Sequence, residues 1–241
     1  VPTKKDRNMD RRQFNSLPAL GFGLYALGPV RHATAFGLAD LSSTEANQGL
    51  RTALERGALS AVGLLGRPGG FLDNPKVRIP LPGFLEDAAR LLKAIGQKKR
   101  VEELEVAMNR AAEGAVPLAR DLLVNAVKTL TVTDAKKILT GGPTSVTSFF
   151  ADKTREPLFV RFLPVVTDAT RKVALADKYN RLASKVPAGL IRKEDATIEQ
   201  YVTRKSLDGL YFMIGEEEKS IRHNPLATGN ALLGKVFGAI R

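Results

Sequence analysis

The sequence contains no cysteine and no tryptophan, and only 6% of its residues are aromatic. The missing cysteine excludes a disulfide scaffold, a cysteine nucleophile, a thiolate zinc site and a lipid-modified cysteine anchor. Histidine is nearly as scarce. Once the N-terminal segment is set aside, His223 alone remains, near the expected C-terminus of a helix, where it reads as a dipole partner. There is no HExxH or calcium-loop spacing and no GxSxG elbow, so neither a metal site nor a Ser-His-Asp triad is expected. Gly21 and Gly23 lack the strand, third glycine and helix start of a dinucleotide fingerprint, and no cofactor is expected. No apolar run after residue 36 reaches membrane-spanning length without charge.

What is present is a chain of 241 residues, 44% apolar and 26% charged, a composition that excludes a disordered or collagen-like polymer and suits one folded domain. Lys and Arg outnumber Asp and Glu by 37 to 25, a formal net charge of +12. The basic residues are interleaved with acids, and only Lys98-Lys99-Arg100 forms a tight cluster, without aromatic residues for base stacking. No nucleic-acid partner is expected. A modest attraction to anionic surfaces, at most a peripheral contact with an anionic membrane, is.

Part of the charge sits in residues 1–35. From Met9 the chain carries paired Arg11 and Arg12, then Phe14, a mildly apolar stretch from Leu17 to Val30, and Ala33-Thr34-Ala35. This order resembles a bacterial twin-arginine export signal and predicts cleavage after Ala35, with Val1–Asn8 upstream of the start. A basic N-terminus or an uncleaved anchor is the alternative. Removing the six basic and two acidic side chains of residues 1–35 leaves 31 Lys+Arg, 23 Asp+Glu and a net +8. The mature protein is then expected to be soluble and periplasmic or otherwise exported.

Residues 36–241 read as an all-α, single-domain bundle of roughly eight helices. Ser42 and Glu45 suit a capped first helix through Leu50, Leu54 and Val62. Gly66 to Phe84 hold four prolines and four glycines and cannot be helical. Val77, Ile79 and Leu81 alternate there with Arg78 and Pro80, which predicts a strap lying extended across the core. A helix follows to about Ile95, stopped near Gly96, and the next places Val101, Leu104, Met108, Ala111 and Ala115 on one stripe until Pro117 interrupts it. A short helix ending at Gly141-Gly142 implies left-handed glycine there. Two or three helices are expected between Thr144 and Ser184, with Pro157 starting one and Pro164 bending it, and 185–196 is read as a polar turn. The segment Thr197 to Arg222, apolar on nearly every face from Leu207 to Ile214, predicts a central helix, and a final helix runs from Pro225 to about Phe237.

Two polar sets on these helices could carry chemistry. Glu105, Asn109 and Glu113 recur at four-residue spacing beside the Met108 and Ala111 stripe, with Arg110 adjacent. They could bind a polar headgroup or position a general acid or base; the alternative is a buried polar network that fixes helix register. Lys205, Asp208 and Glu216 share one helical face with Phe212 between them, a second ligand site or an inter-helix salt-bridge set. Lys205 or Arg204 is the expected partner of Asp208, and Glu216 to Glu218 are read as a solvated helix end. Three functions remain: non-catalytic binding of an amphiphilic ligand or an envelope partner, a carboxylate-based enzyme using Glu113 or Asp208, or a structural or assembly protein. A cavity lined by Met108, Leu210 and Met213 is the signature expected of the first.

The phrases GRPGGFLDNPKVRIPLPGF, LEVAMNRAAEGAVPLARDLL, TDAKKILTGG, EPLFVRFLPVV and YVTRKSLDGLYFMIGEEEKSIRHNP resemble, in this order, a bacterial family of exported proteins known as a domain of unknown function. The resemblance runs from about Leu41 to Phe237. It implies an exported, all-helical single domain and lends no activity, cofactor or substrate.

Overall fold

Ser42 and Glu45 open the first helix by exchanging bonds. The Glu45 amide donates to Ser42 Oγ at 3.1 Å, and the Ser42 amide donates to the Glu45 carboxylate at 3.0 Å, so two of the helix's orphan donors are satisfied. In the computed structural model, the described residues are 37–94, 96, 98–133, 135–174, 177–179 and 197–240. Arg11, Arg12, Phe14, the cleavage site after Ala35 and the turn at 185–196 lie outside them. The described helices are α1 (Ser43–Leu65), α2 (Gly83–Ala94), α3 (Lys98–Ala115), α4 (Arg120–Thr129), α5 (Ala135–Leu139), α6 (Ser145–Lys172), α7 (Ile198–His223) and α8 (Ala231–Gly238). No strand occurs among the described residues, and the fold is an all-α single domain.

α7 is the central helix. It packs along α1 on one side and α6 on the other, with further contacts to α3 and α8. Its inner residues Tyr201, Val202, Leu207, Leu210 and Ile214 are buried, as the apolar run predicts. α3 buries the whole expected stripe of Val101, Leu104, Met108, Ala111 and Ala115. Pro117 interrupts the chain where expected, in a 3-10 turn at Val116–Ala119 that joins α3 to α4.

Three expectations need correction. The final helix does not start at Pro225: Pro225–Thr228 form a 3-10 turn, Gly229 takes a left-handed φ of 66°, and the helix runs from Ala231 to Gly238 with Asn230 as its N-cap. Residues 145–172 form one helix, with Pro157 and Pro164 inside it. The buried positions Phe150, Thr154, Leu158, Phe162 and Val166 recur every four residues, whereas both prolines are exposed. The carbonyls that proline leaves unbonded, those of Lys153 and Val160, therefore belong to exposed residues, where water can satisfy them without breaking the packed face. At the end of α5, neither Gly141 nor Gly142 takes a positive φ. Gly141 is needed for space instead, because a Cβ there would stand 2.6 Å from the Cβ of Ser145.

Between α1 and α2, the segment 66–82 crosses the bundle without regular structure. Val77, Ile79 and Leu81 face the core, and Arg78 and Pro80 face water, as the alternation predicts. Phe71 is completely buried and lies against Gly209 of α7, where a Cβ would stand 2.7 Å from the ring. A helix can approach an aromatic edge this closely only where it carries no side chain.

Candidate functional site

A strap without helix or strand has backbone groups that something else must satisfy. Asn109 supplies part of the answer. The Ile79 amide donates to Asn109 Oδ1 at 2.8 Å, and Asn109 Nδ2 donates to the Ile79 carbonyl at 2.9 Å. One side-chain amide thus stands in for the neighbouring strand of a sheet. One turn on, Glu113 accepts the amides of Phe71 at 3.1 Å and Leu72 at 3.0 Å on one carboxylate oxygen, and Arg110 at 2.5 Å on the other. Arg78 donates to Glu105 at 2.7 Å, and Tyr201 Oη donates to the Pro80 carbonyl at 3.0 Å. All four members of the α3 set, Glu105, Asn109, Arg110 and Glu113, are therefore engaged in holding or supporting the strap.

The α7 set divides. Glu216 receives Lys76 of the strap at 2.9 Å and Lys219 at 2.7 Å, and these bonds hold its carboxyl below the usual carboxylate range. Lys76 also lies over the Phe212 ring, 5.9 Å from its centre. Asp208 is bound by Arg155 of α6 at 2.5 Å, and Lys205 stands farther off at 3.9 Å. Its main partner comes from another helix and not from α7, while Arg204 lies over the Phe159 ring, 5.8 Å from its centre. Sequence spacing reports neighbours on one helix and is silent on what an adjacent helix brings.

Glu218 also departs from expectation. It is 3% exposed and accepts the Val146 amide at 3.1 Å, the Thr147 amide at 2.8 Å, Thr147 Oγ1 at 2.7 Å and Arg222 Nε at 2.9 Å. Thr144 makes no side-chain cap for α6, so the carboxylate from α7 caps that N-terminus in its place. Arg222 also donates to the Leu139 carbonyl at 2.8 Å, tying the end of α5 to the start of α6. Tyr211 is buried, its hydroxyl shares a 2.9 Å bond with Thr154 Oγ1, and burial pushes its pKa up to about 12.

The expected cavity at Met108, Leu210 and Met213 is absent. Met108 and Leu210 are completely buried, and Met213 packs against the same core. Well-packed side chains leave no room there for a guest.

An open cleft lies instead between α4 and α6. It encloses about 570 Å³, within the range of small-molecule sites. Leu122, Ala126, Phe149, Pro157 and Leu158 supply apolar wall, Thr129, Thr131 and Thr133 line it with hydroxyls, and Lys153 and Arg161 are its two cations. Both cations are exposed, and no ion pair or hydrogen bond engages either of them among the described residues. Sequence reading missed this pair because it divided α6 at Pro157, which separates two residues that one continuous helix places beside the same cleft. No cluster of His, Cys, Asp and Glu among the described residues could hold a metal.

Residues 40–238 match the family described as protein of unknown function (DUF4197). The chain belongs to this family. Its span takes in the strap, both polar sets and the cleft between α4 and α6. No curated protein and no solved structure matches the chain.

Proposed function

We propose that this is an exported, non-catalytic binding protein whose ligand is an amphiphile seated between α4 and α6. The observation that carries the reading is the cleft: an apolar wall with two cations that no carboxylate neutralises among the described residues. An apolar chain along Leu122, Ala126 and Leu158 would leave water, and a charged end would meet Lys153 or Arg161. The twin-arginine pattern at Arg11, Arg12 and Phe14 supports export, and no described helix is long and apolar enough to cross a membrane. The enzyme alternative has less support, because Glu113 and Asp208 are each bound by cations or amides and neither is bonded to a second carboxylate.

The test is displacement of a fluorescent fatty-acid probe from the full chain by dodecanoate, repeated with Ala126→Glu. Ala126 is only partly buried, so the longer side chain can fill the cleft without entering the core. Saturable binding that the variant abolishes, with an unchanged circular dichroism spectrum, is the expected result. Binding that is absent from the parent, or equal in the variant, rejects the reading.

A further inference from the structure

We infer that the ligand of the α4–α6 cleft carries an anionic group at each end of an apolar chain, one for Lys153 and one for Arg161. This rests on the binding reading above and adds the ligand's class. The two cations are eight residues apart on one uninterrupted helix. At 1.5 Å per residue they are separated by about 12 Å along its axis. Between them α6 presents Pro157 and Leu158, and the cleft's other wall presents Leu122 and Ala126. The charge pattern along the cleft is therefore cation, apolar wall, cation. A ligand with a single anionic headgroup uses one end of it. Drawing both side chains to one headgroup would place charge over the apolar middle, the part of the cleft that gains most from covering with hydrocarbon.

No acidic residue is among the described residues that line the cleft. What sets these two cations apart from the other exposed basic residues is that both line one apolar cleft. An α,ω-dicarboxylate, or a chain ending in two phosphates, has the complementary pattern.

The experiment compares dodecanedioate with dodecanoate, below micelle-forming concentrations and at low ionic strength, with inorganic phosphate as the control for a simple anion site. A second carboxylate makes the chain less eager to leave water, so without a second cation the dianion binds more weakly. The expected result is dodecanedioate about three- to fivefold tighter, the size of one exposed ion pair, with the gap closing in high salt. Lys153→Ala and Arg161→Ala should each abolish the preference, so that dodecanedioate then binds no more tightly than dodecanoate, and a variant that keeps the full preference overturns the inference. If dodecanoate binds as tightly as dodecanedioate or more tightly, the inference fails and the binding reading stands. If neither binds, both fail. If inorganic phosphate competes fully with either ligand, the site recognises an anion without its chain, and the inference fails.

Discussion

The inner side of α3 and the groove between α4 and α6 use similar materials, helical faces with charged residues beside apolar ones, and end in opposite states. On α3 the Glu113 carboxylate and the Asn109 amide are buried and bonded to the strap. Along the groove, Lys153 and Arg161 are exposed and bonded to nothing described. A buried polar group must find its partners within the fold, because leaving one unmade costs far more than the bond is worth at a surface. An exposed cation carries no such obligation. The bonded set is thus explained by the protein's own architecture, and the unbonded pair is where an outside partner can be sought.

Substitutions can break this contrast at either side, and the largest effect should come from the strap. Glu113→Ala strands the amides of Phe71 and Leu72 and should cost on the order of 3 kcal/mol in urea unfolding, without altering amphiphile affinity in the variant that remains folded. Asn109→Ala strands one amide and one carbonyl of Ile79, for a loss of about 2 kcal/mol by the same measurement. Gly209→Ala forces a methyl group against the Phe71 ring and should cost about 1–2 kcal/mol. If any of these three left stability unchanged while destroying binding, the strap and not the groove would be the site. On the other side, Lys153→Ala should change stability by less than about 0.5 kcal/mol.

Two further effects depend on pH. Lys235 and Ser42 hold the Glu45 carboxyl at about 2 against an ordinary 4.5, so its contribution is present above 4.5 and is lost as the pH falls toward 2. Glu45 lies at the surface, so Lys235→Ala should produce only a slight flattening of the acid limb of a stability profile. Tyr211 is raised to about 12 from 10, so the stability it favours is present below pH 10 and fades as the pH rises toward 12. Tyr211→Phe should remove that alkaline decline.

The helical class, the strap and the order of most helices were legible because each rests on local pattern. Alternation at Val77, Ile79 and Leu81 and the four-residue recurrence on α3 report a buried face wherever that face ends up. The α3 and α7 sets were visible as unusual polar residues, yet their partners were not. Asn109 meets a backbone 30 positions away, and Asp208 meets an arginine 53 positions away, distances that no helical spacing encodes. Glu218 looked like solvated charge because its run is acidic, but packing against α6 buries one member of the three. Proline misled in the other direction. Its cost depends on whether the freed carbonyl faces water, and that is settled only when the helix is seated in the bundle.

The strap's side-chain bonds also affect how the native protein breathes. Backbone amides in irregular segments ordinarily exchange with solvent quickly, but those of Phe71, Leu72 and Ile79 are held by residues of α3. Their deuterium uptake should track the parting of strap from helix as one cooperative opening, slower than that of frayed helix ends. In Glu113→Gln the Phe71 and Leu72 amides should exchange faster before Ile79 follows. These three signals would give a direct clock for a motion that secondary structure alone would not lead one to monitor.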